Sequence, residues 1–434
     1  MFCSGSTDNK GYDLKMRSFE RKAMLRRAVC VLLAGVTFSL GGCTQIIQKT
    51  SATDSEAIEE LDDGEVYYHF EENPEIESQE LSDEPSTCPL SQSKIDALSK
   101  NVDEVIAQYP DFAGTVLLGS GNRIIYEKSF GKTGVRKNDN ENDTIYQIGS
   151  VTKQFTGTAI MDLIKEGKIS PSDTLDKYFP ECEQDYLKSI KLSYLLEMSS
   201  GFGDYMDIIE CNEEKLKEYV AAAKKSDEEA KKFIVNTILD WGVDTEPGKV
   251  YAYSNSAYYL LGIIIEQQTG MEYRDYLQKN FFDPAGMKDT YFVGDGKDAC
   301  TGYSPAQLKY VSDKESKERT AEGDYPYLFS AGSVVSTVED VNKWLHLVNS
   351  DSIFTDNDRK TIEKSLMLYN YGWNTSDNLW HHSGRTYAYS SQVYADYKTD
   401  TTMVVLTNVS FYNDLGEISM KIYLPLVNAA KEAK

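Results

Sequence analysis

Ser150 and Lys153 have residue types and a spacing that could support nucleophilic catalysis. They are three residues apart at the start of an apolar helical pattern, so both side chains lie on one helix face. A lysine that burial makes neutral can take the serine proton, and the N–H groups at a helix start favour a developing oxyanion. The pair therefore predicts a serine nucleophile with a lysine base.

The spacing alone is weak evidence, because it occurs twice more in the chain. Ser91 with Lys94 and Ser129 with Lys132 have the same separation, but neither pair opens an apolar helix. A surface pair on a helix is the usual explanation for such a match. We therefore favour Ser150 on account of the helix that follows it.

Tyr253-Ser254-Asn255 follows about a hundred residues later, as the only Y-x-N triplet among thirty tyrosines. A nearby lysine can lower the pKa of a phenol, so that the phenol relays protons to a leaving group or from water. The Asn255 amide could hold both Lys153 and a substrate carbonyl. The simpler alternative for Tyr253 is a buried tyrosine with a satisfied hydroxyl.

His382-Ser383-Gly384 is the third group, placed before a pair of late strands. A glycine in such a strand lets a substrate backbone approach and pair edge-on. We expect His382 to supply a proton donor or a positive charge beside the reacting centre. Lys132-Thr133-Gly134 is similar in composition, but it precedes Ser150 in a loop rich in Gly and Asn, so we interpret it as a coincidence.

The charge of His382 leads to an expectation about substrates. An imidazole with an ordinary pKa of about 6.5 is largely uncharged at neutral pH. Uncharged esters or amides should then be better substrates at pH 7.5 than molecules that carry a carboxylate. Carboxylate substrates should gain relative kcat/KM as the pH falls towards 6. Arg385 is a less favoured source of fixed charge, since alternation along a strand directs it away from His382.

The surrounding pattern indicates which elements hold these groups. Apolar residues at helical spacing after Ser93 predict an opening helix, and 150–340 is mostly helical in pattern, with polar loops around 205–230 and 295–325. Two hairpins and a closing helix are predicted at 114–118 with 123–130, at 390–397 with 401–409, and at 415–433. An antiparallel sheet built from both chain ends is expected, with a helical lobe inserted between them.

The order of the three groups, together with the segments at 148–156, 247–262, 282–290 and 331–340, resembles the serine β-lactamase and penicillin-binding-protein superfamily. The branch that looks nearest contains class C β-lactamases, D-alanyl-D-alanine carboxypeptidases and related esterases. The similarity covers about residues 93 to 430. It implies an α+β fold of the β-lactamase/transpeptidase type, with an antiparallel sheet, flanking terminal helices and an inserted, mostly helical lobe.

The resemblance also implies a role for each residue, no metal or cofactor, and a small molecule or cell-wall peptide as substrate. An extracytoplasmic serine hydrolase is expected. The alternatives are a protein that is acylated without turnover and a non-catalytic envelope protein. The implied roles are Ser150 as acylated nucleophile, Lys153 as its base, Tyr253 as proton carrier, Asn255, His382, Ser383 and Gly384 as substrate-orienting groups, and the N–H groups of Ser150 and Arg385 as the oxyanion hole.

Two positions depart from the family pattern and leave the substrate open. Arg385 stands where relatives often have Gly, and the segment 195–201 lacks the histidine that many relatives carry before the Ser-Gly turn. Four tyrosines near the motifs could line a groove for an apolar acyl group, although core packing is the simpler alternative. They are Tyr205, Tyr251, Tyr387 and Tyr389.

Residues 16–42 are interpreted as a lipoprotein signal peptide. Five Arg or Lys precede an apolar run of thirteen residues at 28–40. A helix of that length spans about 20 Å, too short for a bilayer core of about 30 Å. The small residues before Cys43 predict cleavage there and lipidation of its thiol, which would anchor the protein outside the cytoplasm. Residues 1–15 are interpreted as an upstream extension.

Residues 43–90 are predicted to be an acidic, disordered tether and 91–434 the hydrolase domain. The chain has 69 acidic and 45 basic residues, a net charge of -24, and fourteen of the acids lie between Thr44 and Leu90. This balance argues against binding to nucleic acid. None of the cysteines forms a C-x-x-C motif, and the sequence leaves a Cys182–Cys211 bridge open.

Overall fold

In the computed structural model, the apolar runs at 114–130 and 390–407 form part of one sheet. The model describes residues 88–133, 138–295, 325–365, 369–376, 378–386, 388–409 and 415–433. The seven strands have the order β2-β1-β10-β9-β8-β7-β6, and every neighbouring pair is antiparallel. These strands are β1 (Gly114–Ser120), β2 (Arg123–Phe130), β6 (Tyr369–Asn370), β7 (Trp373–Ser376), β8 (Leu379–Arg385), β9 (Ser390–Asp396) and β10 (Thr401–Thr407).

Three short strands form a second sheet, and helices make up most of the remaining described chain. The second sheet has the order β3-β5-β4, with β3 (Tyr146–Gln147), β4 (Tyr291–Phe292) and β5 (Val334–Ser336). The helices are α1 (Gln92–Ile106), α2 (Thr152–Lys165), α3 (Leu192–Leu196), α4 (Tyr205–Glu210), α5 (Glu213–Ala223), α6 (Asp227–Trp241), α7 (Asn255–Thr269), α8 (Tyr273–Leu277), α9 (Tyr325–Gly332), α10 (Val338–Asn349), α11 (Asp356–Glu363) and α12 (Leu415–Ala433).

Both faces of the large sheet are covered, which explains why its central strands are apolar on both sides. In β10, Met403 and Val405 pack with α1 and α12 in one core. Val404 and Leu406, the alternate residues, pack in the second core with the helical lobe. Successive side chains of a strand point to opposite faces, so β10 serves both cores. The terminal hairpins, the flanking helices and the α+β class expected from the sequence are confirmed in this arrangement.

The expected polar loop around 205–230 is wrong, because α4, α5 and the start of α6 occupy it. Each of these helices has a capping side chain that accepts backbone N–H groups: Asp204 for α4, Asn212 for α5 and Ser226 for α6. Such caps satisfy donors that the first turn leaves without partners. The polar composition reflects exposed, well-capped helices.

Several sequence predictions fall on residues that the structure does not describe. The signal peptide at 16–42, Cys43, the tether except its last residues, and Tyr387 lie outside the described residues, as does nearly all of the loop predicted at 295–325. Cys182 carries a free thiol, so the bridge that the sequence left open is not formed. Within the described part of the chain, no helix has the length and apolar character needed to cross a membrane.

Candidate active site

Ser150 lies in a short 3-10 turn, Gly149–Val151, that leads directly into α2. The turn approaches the end of β8 closely. Gly149 has φ of +54°, and a Cβ atom on it would stand 2.7 Å from the backbone nitrogen of Arg385. Only glycine accepts both this conformation and this contact. The glycine before the serine therefore allows the nucleophile turn to touch the strand that carries the third motif.

The Lys153 ammonium contacts the Ser150 hydroxyl, as the three-residue spacing predicts. Lys153 Nζ is 3.0 Å from Ser150 Oγ, and it also donates to Asn255 Oδ1 at 2.7 Å and to the Ala331 carbonyl at 2.7 Å. The Lys153 side chain is fully buried. These three acceptors hold the amine in one place beside the serine.

Burial also decides the charge of Lys153. Removal from water lowers its pKa to about 7, while the negative charge of Asp204 opposes this shift. A desolvated ammonium loses its proton more readily, because the charged form is the one that burial disfavours. At neutral pH a substantial fraction of Lys153 is therefore an amine that can accept the Ser150 proton.

Tyr253, which lies two residues before the start of α7, contacts the same serine. Its hydroxyl forms a hydrogen bond with Ser150, and Lys153 Nζ lies 5.1 Å from the centre of its ring. The sequence predicted a lowered pKa for this phenol. The pKa is instead raised, because burial of the hydroxyl outweighs the bond to Ser150, even though 40% of the side-chain surface is exposed. Tyr253 thus keeps its proton at neutral pH.

Asn255 is oriented by Asp204, a residue that the sequence did not single out. Asp204 Oδ2 accepts Asn255 Nδ2 at 2.7 Å and the Asn255 backbone nitrogen at 3.2 Å. Fifty-one residues separate the two positions in the sequence. The only local signal is that Asp204 is a favoured capping type before a helix, and that signal says nothing about Asn255.

The Ala331 carbonyl is a second member of the site that the sequence could not reveal. It belongs to the end of α9, where Phe329 has φ of +36° and interrupts the helical course. Its bond to Lys153 uses a main-chain oxygen, which every residue possesses. Residue type therefore cannot reveal a backbone acceptor.

His382 does not lie in the site as a charged group. It is buried, and desolvation lowers its pKa to about 3, with Lys153 contributing in the same direction. Its Nδ1 is 2.6 Å from the Ser383 carbonyl, and its Nε2 is 3.0 Å from the Tyr369 hydroxyl. A carbonyl only accepts, so Nδ1 carries the hydrogen and Nε2 accepts from Tyr369.

This environment corrects the expectation about pH. The sequence predicted that His382 would gain charge as the pH falls towards 6 and would then assist carboxylate substrates. With a pKa of about 3, His382 stays neutral throughout that range. Burial, helped by the positive charge of Lys153, lowers the pKa more than the hydrogen bond to the Ser383 carbonyl raises it.

The end of β8 presents an open edge beside Ser150. Residues 379–385 all pair with β9, whereas among the described pairings β7 reaches only residues 379–381. Gly384 packs so closely on the Ile148 carbonyl that a side chain there would overlap it. Ser383 and Arg385 are exposed and alternate with buried His382 and Gly384. The geometry suits a substrate backbone that approaches the last residues of β8.

In the other two S-x-x-K pairs, the lysine side chain forms an ion pair with an acidic residue. Lys94 pairs with Glu432 at 3.3 Å, and Lys132 pairs with Asp139 at 2.5 Å. Ser129 Oγ bonds Asn142 Oδ1 at 2.8 Å. Among the three candidate serines, only Ser150 has its hydroxyl in hydrogen-bond contact with the side chain of its lysine within the described structure.

The tyrosines near the motifs differ in their burial and in their contacts. Tyr205 is fully buried, and its hydroxyl donates to the Tyr327 carbonyl, so it belongs to the core. Tyr251 is 41% exposed and lies 6.3 Å, ring to ring, from Tyr369. Tyr389 packs partly buried against the main core. Of the described candidates, Tyr251 remains the one placed to meet an apolar substrate group.

The chain is similar to several known proteins. Protein flp of Staphylococcus aureus (strain MW2) is 27% identical over 317 residues, 68% of this chain and 59% of that protein. Penicillin-binding protein 4* of Bacillus subtilis (strain 168) is 25% identical over 336 residues, 70% of each chain. The crystal structure of D-amino acid amidase from Ochrobactrum anthropi SV3 aligns with a TM-score of 0.64 at 21% identity, covering 78% of this chain and 99% of that one.

A family model described as Beta-lactamase matches residues 102–418, well over half of the chain. The match spans the nucleophile turn, the Tyr253 segment and β8. Its limits also include both hairpins of the large sheet. This chain belongs to the Beta-lactamase family.

Proposed function

We propose that the protein is a serine hydrolase that opens an amide, ester or β-lactam carbonyl through an acyl-enzyme on Ser150. The observation that carries the proposal is the contact of Lys153 Nζ with Ser150 Oγ at 3.0 Å, made by an amine whose pKa burial lowers to about 7. A base near neutrality and within hydrogen-bond reach is what activation of a serine requires.

The proposed acylation step uses the two proton carriers in turn. Lys153 takes the Ser150 proton as Oγ attacks the substrate carbonyl carbon, and the carbonyl π bond opens to an oxyanion. Tyr253, which keeps its proton at rest, donates it to the leaving group as the scissile bond breaks. Lys153 can then return the proton to Tyr253, whose ring centre lies 5.1 Å from Nζ, so that both groups recover their resting forms. In the deacylation step, water attacks the acyl carbonyl carbon, the proton transfers run in the opposite direction, and Ser150 is restored as the acid is released.

The oxyanion would be held by backbone N–H groups of Ser150 and Arg385. Supporting this, the nucleophile turn and the end of β8 are in contact at Gly149 and Arg385. Preorganised donors aimed at a developing oxyanion commonly contribute more than any other single group in acyl transfer. The open edge of β8 would bind the substrate chain alongside.

We expect uncharged substrates with an apolar acyl group to be preferred. His382 is neutral at physiological pH, so it supplies no cation for a carboxylate. Tyr253, which bonds Ser150, is 40% exposed, and Tyr251, which like Tyr253 lies 6.3 Å from the Tyr369 ring, is 41% exposed. Exposed aromatic surface in a cleft favours apolar ligand groups. The shared fold with an amidase gives a reason to include amides among the probes.

The decisive experiment compares wild type with Ser150→Ala on a fluorescent penicillin, an activated ester and an amino acid amide. Wild type should release product from at least one probe, and Ser150→Ala should lose about 10³-fold or more of that rate. Ser91→Ala and Ser129→Ala are matched controls and should retain it. Stable labelling without release would support acylation without turnover, and hydrolysis that survives in Ser150→Ala would refute the assignment.

We also propose that a lipid on Cys43 anchors the protein outside the cytoplasm. The basic start, the short apolar run and the small residues before Cys43 support this location. In a bacterial host, wild type should enter the detergent phase of a detergent partition, whereas Cys43→Ala should remain in the aqueous phase. Equal partition of the two forms would contradict the anchor.

A further inference from the structure

Asp204 lies directly behind Asn255, on the side away from Lys153. Its Oδ1 accepts the backbone N–H of Met206 at 3.0 Å as the cap of α4. Its Oδ2 accepts two N–H groups of Asn255, one from the side chain and one from the backbone. Asp204 acts only as an acceptor in these bonds, as an ionised carboxylate does.

The bond from Asp204 leaves the Asn255 amide only one favourable orientation. An amide has a donor end and an acceptor end, and the two ends are nearly equal in shape. With Nδ2 bound to Asp204, Oδ1 faces Lys153 Nζ at 2.7 Å. A flipped amide would place its oxygen against the carboxylate and its NH2 against the ammonium. Asp204 therefore fixes the acceptor that holds Lys153.

Asp204 also acts on Lys153 through its charge. The groups that face Lys153 are neutral apart from this carboxylate: the Ser150 hydroxyl, the Asn255 amide, the Ala331 carbonyl, the rings of Tyr253 and Tyr258, and the uncharged imidazole of His382. Burial lowers the pKa of Lys153, and Asp204 raises it. Burial also raises the pKa of Asp204, which Lys153 and the N–H groups of Met206 and Asn255 oppose, while Asp207 adds to the rise.

We propose that Asp204 is a positioning residue of this site, which fixes the Asn255 amide and stabilises the positive charge of Lys153 before acylation. The inference rests on the proposed function. It predicts that the two effects can be separated, because one depends on hydrogen-bond geometry and the other on charge.

Asp204→Asn isolates the charge. The single amide oxygen of the variant can still accept from Asn255, so the orientation of Asn255 should survive, whereas the NH2 end then faces the Met206 N–H and no longer caps α4. Without the carboxylate, Lys153 loses its proton at lower pH. The acid limb of kcat/KM, followed from pH 4.5 to 9, should then move to lower pH by about one pH unit, the lower limit of the 1–3 units typical of a directly adjacent charge.

Asp204→Ala removes both effects. The acid limb should shift in the same direction, and the plateau above pH 8 should fall about 10- to 100-fold, because Asn255 no longer holds the amine in position. Asp207→Asn is the matched control: it removes an exposed acid one helical turn away that makes no bond to Asn255. Its pH profile should overlay that of wild type. Thermal melting of each variant checks that the fold persists.

The outcomes distinguish this inference from the proposed function. If wild type is not acylated on Ser150 by the penicillin, ester or amide probe, the proposed function fails and Asp204 has no acylation to support. If wild type is acylated but the Asp204→Asn profile overlays that of wild type, the charge role is overturned. An Asp204→Ala plateau equal to that of Asp204→Asn would overturn the positioning role.

Discussion

At the scale of single residues, burial assigns the proton carriers. Lys153 and Tyr253 both contact Ser150, but burial moves their pKa values in opposite directions, to about 7 for the lysine and above its usual range for the phenol. Burial favours the neutral form of each group. The neutral forms are an amine that accepts a proton and a phenol that donates one. The same physical effect thus produces a base and an acid on one serine.

His382 gives the first prediction. Because its pKa lies near 3, its charge does not change between pH 8.5 and 5.5. The ratio of kcat/KM for a carboxylate substrate to that for its matched methyl ester should therefore stay constant over this range. The measurement is a pair of pH profiles on the two substrates. Both profiles should share the acid limb of Lys153, which cancels in the ratio.

Tyr369→Phe is the control for this prediction. It removes the hydroxyl that His382 Nε2 accepts, at 3.0 Å, while it keeps the ring. Burial, the largest cause of the lowered pKa of His382, remains in this variant, so the ratio should stay constant there as well. A wild-type ratio that rises as the pH falls from 7.5 to 6 would show that His382 is charged in this range.

At the scale of elements, close backbone contact connects β8 to the nucleophile turn. Gly384 meets the Ile148 carbonyl and the Ser391 hydroxyl, and Ser391 Oγ itself donates to Ile148 O at 2.8 Å. Gly149 makes the reciprocal contact with Arg385. Packed elements resist even one added carbon, because interiors are filled close to crystal density. The distance between the serine and the strand edge is set by these two glycines.

Gly384→Ala tests that contact. The added methyl would overlap the Ile148 carbonyl, so β8 must move away from Ser150. We expect a loss of stability of about 1–3 kcal/mol, the usual cost of overpacking. A fall in kcat/KM larger than the fall in folded fraction should accompany it. Chemical denaturation and steady-state kinetics provide the two measurements.

Gly416→Ala is the matched control for the glycine effect. It lies at the start of α12, where the nearest atom to an added Cβ is Gln392 Nε2 at 4.0 Å. Alanine favours a helix over glycine by about 1 kcal/mol. This variant should be neutral or slightly more stable, with unchanged kinetics. If Gly384→Ala behaved in the same way, β8 would not be held by this contact.

At the scale of the whole molecule, the first and last described helices, α1 and α12, share one core. Lys94 in α1 donates to the Ala429 carbonyl in α12 at 3.2 Å, and Tyr423 packs its ring 4.9 Å from Tyr394 of β9. The first of these contacts joins residues 335 positions apart. One face of the sheet that carries the site is therefore covered by helices that are distant in the sequence.

Ile422→Ala measures the contribution of this docking. Ile422 is fully buried in the core that α12 shares with α1, whereas Leu424, two residues away, is 50% exposed. Truncation of a buried Ile or Leu costs about 2–5 kcal/mol through lost burial and the cavity left behind. Leu424→Ala should stay within about 0.5 kcal/mol of wild type. Equal losses in the two variants would mean that α12 contributes no buried core.

The sequence alone determined four strands of the large sheet, the terminal helices and the three motifs that supply the candidate site. The hairpins at 114–130 and 390–409 follow from alternation and turn residues, and the Ser150–Lys153 contact follows from helical spacing. These features are local, so a short window of residue types contains the information. The helices at 205–230 were missed although their caps are local, because polar surface helices have little apolar periodicity.

Only the tertiary structure decided the charges and the partners within the site. The Asp204 side chain accepts from Asn255 across 51 positions of the sequence. The Ala331 backbone carbonyl accepts from Lys153 across 178 positions. The neutral state of His382 depends on burial and on the charge of Lys153, neither of which its own motif contains. A pKa is a property of surroundings, and those surroundings are assembled from distant segments when the chain folds.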